Sequence, residues 1–265
     1  MKERIVTGMG LGLIVLLAIF HLSGTVFDSA VAIVLLFAAW EWSVLASAKT
    51  IFKRIVYLIA TLALIYLSQY IRMTVLIFSC IFWLFALYLV LQYPNVRFKN
   101  FSKIARCIIG FFVIVPFWVS VALLHQQKPS LLLLMLLVVT LADSGAYFVG
   151  RQYGKKKIAP VISPKKTVEG LLSGIILGGF SGMVYAFIIS YGRYEQIVLF
   201  ILSFVMVMVA FIGDLFESMV KRECGVKDSG SILPGHGGIL DRMDSLFASF
   251  PIFVLVLLAF GLITL

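Results

Sequence analysis

The sequence predicts an all-α fold: a polytopic transmembrane bundle of about nine helices, with the N-terminus in the cytoplasm. Three observations carry this. First, 62% of the 265 residues are apolar and 13% are charged. Soluble domains are about half apolar and about a quarter charged, so this chain lacks the polar surface to cover itself in water. Second, apolar runs of roughly 20 residues, the length that crosses a bilayer core as a helix, recur along the whole sequence. Third, lysine and arginine gather in every second connection between those runs.

The runs place spans near 6–25, 29–47, 55–71, 73–92, 107–124, 130–149, 171–191, 196–216 and 245–264. Lys2 and Arg4 ahead of the first run resemble the start of a leader. The spans that follow favour an uncleaved first helix. The basic residues then test the division independently. With a cytoplasmic N-terminus, 19 of the 22 fall in cytoplasmic segments, and only Arg72, Lys128 and Arg193 fall outside. That is the alternation the positive-inside rule requires, and it places the C-terminus outside. Two regions are expected: N-terminal spans over 1–125, and C-terminal spans over 126–265 that carry the chemistry.

The net charge of +10 does not indicate nucleic-acid binding, because the basic residues are scattered among short loops. It fits membrane orientation and contact with anionic lipid or phosphate. Cys80, Cys107 and Cys224 show no CxxC pair and no metal-ligand spacing, and no role is expected for them. Gly170, Gly174, Gly178 and Gly182 recur every four residues and form one ridge on the seventh span. Small residues so spaced let helices approach closely where hydrophobicity offers no drive. The ridge is expected to face a helix of this chain or of another subunit.

Polar residues out of place locate the site. Asp214, Glu217, Ser218 and Lys221 share one helical face at the end of the apolar run ILSFVMVMVAFIG. Ionisable groups at membrane depth are costly and face a cavity or a partner. The loop that follows holds Lys221-Arg222, Lys227-Asp228, PGHGG at Pro234–Gly238 and Asp241-Arg242-Met243-Asp244. Its glycines permit positive φ, so Gly237 and Gly238 with their neighbours could form an anion-binding nest. Asp241 and Asp244, with Asp214 nearby, offer oxygen ligands for a hard divalent cation such as Mg²⁺, and the basic residues suit a polyphosphate. No Cys/His cluster for zinc and no GxxxxGK[ST] loop is present. His236 is read either as a general acid or as a phosphate or base contact.

A second polar block joins the sixth and seventh spans. Asp143 ends an apolar run, and SPKKTVEG follows with Lys165, Lys166, Thr167 and Glu169. Six basic residues there could serve orientation alone. The block is expected to form a second wall of a phosphate site, with Pro164 and Thr167 suited to a helix start.

The stretch SMVKRECGVKDSGSILPGHGGILDRMD (Ser218–Asp244) resembles the signature of CTP:phosphatidate cytidylyltransferases, the CDP-diacylglycerol synthases, and DSGAYFVGR and SPKKTVEG are also similar to segments of that family. The resemblance covers the chain from about Asp143. It implies nucleotidyl transfer from CTP to phosphatidate, giving CDP-diacylglycerol and pyrophosphate in phospholipid biosynthesis, with Mg²⁺ and a second cation such as K⁺. By position, Asp214 and Asp241 look like metal ligands, Asp228 and Asp244 like supporting acids, and Ser218 like a site hydroxyl. Lys221, Arg222, Lys227 and Arg242 look like phosphate contacts. The implied setting is a homodimer in the bacterial plasma membrane, in contact with membrane lipid and with no nucleic-acid partner. Two rivals remain: a related CTP-using enzyme acting on another lipid phosphate, and an anion transporter.

Overall fold

The computed structural model describes residues 2–232 and 237–265, with side chains for residue 10 and from residue 12 onward. Among these residues there are nine α-helices: α1 (Lys2–His21), α2 (Gly24–Leu45), α3 (Ile51–Ser68), α4 (Arg72–Gln92), α5 (Lys103–Gln127), α6 (Pro129–Tyr153), α7 (Val168–Ile188), α8 (Arg193–Glu223) and α9 (Leu240–Ala259). Each expected span falls on one helix, except that the first, 6–25, runs past the end of α1 at His21 into the start of α2 at Gly24. α2 to α9 are long and apolar enough to cross a membrane, whereas the described apolar part of α1 is only Gly12–His21.

The helices outrun the apolar stretches that located them. α8 continues to Glu223 and α9 begins at Leu240, so Lys221 and Arg222 end one helix, and Asp241, Arg242 and Asp244 open the next. The polar loop expected from Lys221 to Asp244 is therefore shorter than hydropathy implied. Hydropathy sees only the part of a helix that lies in hydrocarbon, while the backbone ladder continues through polar residues until a cap ends it. Local caps mark several starts: Ser102 accepts from the Ala105 amide at 3.1 Å, and Thr167 accepts from Gly170 at 3.2 Å.

α5 is the centre of the bundle. Its residues from Val113 to His125 are buried on every face, as a helix apolar all round must be, and α2, α3, α4 and α9 pack about it. α6, α7 and α8 form a row beside this group, joined to it most extensively by α8 against α9 and also by α8 against α4 and α6 against α5. The glycine ridge of α7 is used within the chain. A Cβ at Gly174 would stand 2.8 Å from the Ala142 carbonyl oxygen of α6. One at Gly178 would stand 2.8 Å from the Val138 oxygen and 2.6 Å from Val207 Cγ2 of α8.

Between α6 and α7 the chain forms a two-stranded antiparallel hairpin that the sequence did not announce. β1 (Lys157–Ala159) and β2 (Ser163–Thr167) pair Lys157 with Thr167 and Ala159 with Ser163. Pro164 lies in β2 and not at a helix start; Thr167 alone caps α7.

Side-chain hydrogen bonds sort into two ends of the bundle. At one end Trp42 Nε1 donates to the Arg106 oxygen at 2.9 Å, Arg106 Nη1 to Ser47 Oγ at 2.9 Å and Cys224 Sγ to the Leu45 oxygen at 3.3 Å. At the other, Trp118 Nε1 donates to the Asp28 oxygen at 3.0 Å and Gln126 Nε2 to Asp28 Oδ2 at 3.0 Å. The basic connections lie at the first end.

Because α6 and α8 leave no room at the ridge, Gly178→Ile should lower stability by about 1–3 kcal/mol, the usual cost of overpacking a filled core. Gly24→Ala, where nothing lies within 4 Å, should not. Thermal unfolding in detergent checks both.

Candidate active site

The two ends of the shortened loop meet through Lys221. Its Nζ lies 2.6 Å from Asp241 Oδ1 and 3.2 Å from Glu217 Oε1. All three side chains are less than a tenth exposed, so α8 and α9 are joined by charges that have left water. One turn back on the same face of α8, Ser218 Oγ donates to Asp214 Oδ1 at 3.2 Å. The face expected from spacing therefore exists, and it carries two acid-centred pairs.

Asp214 receives its counter-charge from the hairpin. Lys166 Nζ lies 2.6 Å from Asp214 Oδ2, with its ammonium 4.3 Å from the centre of the Phe211 ring. Burial rises along β2 toward α7, with Lys165 exposed, Lys166 half-buried and Thr167 buried, so the second lysine of the pair is the one that reaches Asp214. Asp143 of α6 and Asp244 of α9 both interact electrostatically with Asp214 and with Lys166. α8 and α9 come this close because residue 213 is glycine; a Cβ there would stand 2.5 Å from the Asp244 carbonyl oxygen and 2.9 Å from Ala248 Cβ.

Asp241 is held from the loop side. Its Oδ2 accepts from the Ser229 amide at 2.8 Å, Ser229 Oγ at 3.0 Å and the Gly238 amide at 2.8 Å. Gly237, with φ +83°, supplies the left-handed turn that aims the Gly238 N–H inward. The nest expected for a substrate phosphate thus receives carboxylates of the chain itself. The acceptor for the next two amides is one the sequence reading missed, Glu41 of α2. Its Oε1 accepts from Ile239 at 3.1 Å and its Oε2 from Leu240 at 2.9 Å, and Oε2 also lies 2.9 Å from Ser229 Oγ, whose single hydroxyl proton it shares with Asp241. A single charge inside the apolar run FAAWEWSV was the available signal.

Among the described residues, no three His, Cys, Asp or Glu side chains stand close enough to form a preformed metal cage. The donor chemistry still fits a hard cation that shares its ligands with a phosphate. Asp143, Asp214, Glu217, Asp241 and Asp244 are five carboxylates, and Lys166 and Lys221 pair with three of them, Asp214, Glu217 and Asp241. Mg²⁺ needs only one or two protein carboxylates when phosphate and water complete its shell.

The profile of the cytidylyltransferase family matches residues 2–260. The chain belongs to that family. It is 35% identical to a phosphatidate cytidylyltransferase of Pseudomonas aeruginosa, over 98% of each chain. It is also 34% identical to one of Haemophilus influenzae, over 96% of this chain and 97% of that one, and 37% identical to one of Bacillus subtilis, over 67% and 68%. The match covers the N-terminal spans as well, where the sequence offered only hydropathy.

In this cytidylyltransferase the remaining expected residues lie as follows. Arg222, Lys227, Asp228 and Arg242 are exposed at the same end, and Arg222 Nη1 folds back to the Val226 oxygen at 3.2 Å. Glu169 turns to the hairpin, accepting from the Lys155 amide at 3.0 Å and the Lys156 amide at 3.3 Å. Thr167 is buried as a helix cap. Both therefore position the hairpin that carries Lys166. His236 lies outside the described residues. Burial pushes the Cys224 thiol above its ordinary pKa, consistent with an unreactive cysteine. An apolar groove of about 480 Å³ between α3, α4 and α5 carries no ionisable side chain.

Removing Lys221 should show how far the cluster depends on it. Lys221→Met leaves Glu217 and Asp241 without their shared cation, at a cost of about 3 kcal/mol or more. Adding Glu217→Gln should restore part of that, read by thermal unfolding of the two variants side by side.

Proposed function

We propose that this protein transfers the cytidylyl group of CTP to phosphatidate, forming CDP-diacylglycerol and pyrophosphate, at the site between α6, α8, α9 and β2. The observation that carries the reading is the convergence of Asp143, Asp214 and Asp244 on Lys166 at one end of a membrane bundle, in a chain of this family. A soluble nucleotide and a lipid headgroup can meet only at such an end. The end is read as cytoplasmic, in the bacterial plasma membrane, because it holds 19 of the 22 basic residues.

The chemistry asks for charge control more than for proton transfer. A phosphate monoester has a second pKa near 6 and arrives at neutral pH already largely dianionic, so a strong general base is unnecessary. The barrier lies in bringing a dianion to a triphosphate in line. Asp214 and Asp244, supported by Asp143, would hold Mg²⁺, which when bound would supply positive charge to offset that of the phosphates. Asp241 has three donors on one oxygen and Lys221 on the other, so its share in the metal site would come through the oxygen that Lys221 now occupies. Lys166 and Lys221 stand beside the acids to neutralise developing charge. Arg222, Lys227 and Arg242, with Lys165 on the hairpin, draw the triphosphate to the surface, and Ser218 orients Asp214. The role of His236 is carried by sequence alone. K⁺ as a second cation and a homodimer follow from the resemblance; replacing K⁺ by Na⁺ in the assay and measuring particle mass in detergent test them.

Purified protein given CTP, Mg²⁺ and phosphatidate should release pyrophosphate and form CDP-diacylglycerol. Asp214→Asn and Asp244→Asn should each lower kcat by about 100-fold or more, as expected when charge stabilisation is lost, while the protein stays in the membrane. Undiminished turnover in either variant overturns the ligand assignment, and CTP left intact by the wild type overturns the reaction.

A further inference from the structure

α9 lacks a local cap. The residue before it, Ile239, has no side chain able to accept a hydrogen bond, although Ser, Thr, Asp or Asn at that place would satisfy the first amides at little cost. The acceptor comes instead from α2. Glu41 is 2% exposed, sits in a membrane-spanning helix where a charge is expensive, and takes the amides of Ile239 and Leu240 on separate oxygens at 3.1 and 2.9 Å. Its second oxygen also takes Ser229 Oγ at 2.9 Å. The surroundings are shaped to the carboxylate, since Gly230 and Gly238 lie against it with no space for a Cβ. The adjoining turn of α2 is itself anchored, by Trp42 to the Arg106 oxygen and by Cys224 Sγ to the Leu45 oxygen.

What Glu41 holds is what positions the acids. Ser229 donates its amide to Asp241 at 2.8 Å while its hydroxyl lies between Glu41 and Asp241, and the Gly238 amide adjoining Ile239 also goes to Asp241. Glu41 and Asp241 therefore grip the same two loop strands from opposite sides. If helix stability alone were needed, a polar residue at 239 would supply it. A cap reaching in from another helix additionally fixes where the start of α9 stands relative to the bundle.

We propose that Glu41 is a positioning residue of the cytidylyl-transfer site. It ties the start of α9 and Ser229 to α2, so that Asp241 meets Lys221 and Asp244 faces Asp214. It acts through the loop and makes no contact with substrate. The proposal rests on the function given above.

Glu41→Gln is the decisive variant, because it keeps the shape but turns an NH₂ toward backbone donors. In full-length protein in detergent, kcat should fall about 10- to 100-fold, the scale of an ångström-sized misplacement. KM for CTP should change by less than about threefold, and hydrogen exchange at 229 and 238–240 should accelerate while α5 stays protected. Glu41→Asp, one methylene short, should recover part of kcat relative to Glu41→Ala. A loss that merely follows melting temperature across Ala, Gln and Asp, with kcat per folded molecule unchanged, would reduce Glu41 to a structural cap and overturn the proposal. So would a lowered KM for CTP, which would make the carboxylate an occupant of the substrate's own anion site. Wild-type protein that fails to turn over CTP defeats the reaction instead. The exchange measurement then still reads Glu41, and unchanged exchange in Glu41→Gln overturns the positioning role on its own.

Discussion

Lys221 touches both Glu217 on its own helix and Asp241 on the next, and the arrangement of the site depends on that double contact. An ammonium taken out of water is costly, and so is each of the two carboxylates; the three are tolerable only together. The last turns of α8 and the first turn of α9 must therefore lie side by side. That requirement accounts for the glycine at 213, where the helices approach too closely for a side chain, and for the loop turning back with its amides aimed at Asp241. It also brings Asp214 and Asp244, each near the helix crossing, within electrostatic reach of one another. Two acids so placed repel, and Lys166 from the hairpin meets part of that repulsion at 2.6 Å from Asp214.

The N-terminal helices have a defined part in this. α5 fills the centre and gives α9 a rigid wall through Phe117, which packs edge-on against Phe247 and Phe250. α2 supplies the carboxylate that ends the loop. The functional end of the molecule is thus built from helices far apart in sequence, and the bundle around it is more than a lipid-facing cover. The close packing of α7 against α6 serves the same end, since Gly170 and Gly150 allow the helices to meet just where β2 delivers Lys166.

The spans were legible because a bilayer imposes one length and one composition on every helix that crosses it. The acidic face of α8 was legible for a related reason: Asp214, Glu217, Ser218 and Lys221 repeat with helical spacing where apolar residues were due. Other features left weaker traces. The true ends of α8 and α9 lie in polar sequence that hydropathy cannot separate from loop. The hairpin is short, and its register decides that Lys166 enters while Lys165 stays outside, which two adjacent lysines do not reveal. The glycine-rich loop was expected to offer its amides to a phosphate, and nothing in it indicated that Glu41 and Asp241 would take them. Glu41 itself lies 198 positions from Ile239, and only a contact in space connects them.

The placement of charge has a consequence for how such a site can work. Asp214, Glu217, Asp241 and Asp244 are held by donors that are themselves fixed to a helix, a strand or a glycine turn, so little of that set must reorganise when a polyphosphate arrives. Preorganised charge in a partly desolvated setting interacts more strongly with a substrate than the same charge in water. It is also unsafe by itself, since acids facing an anion would repel it. The combination is workable only if cations stand between them, and here Lys166 and Lys221 already occupy that position against Asp214 and Asp241. A polyphosphate entering the cluster with its own cations would therefore exchange one set of counter-charges for another, without requiring naked carboxylates to wait for it.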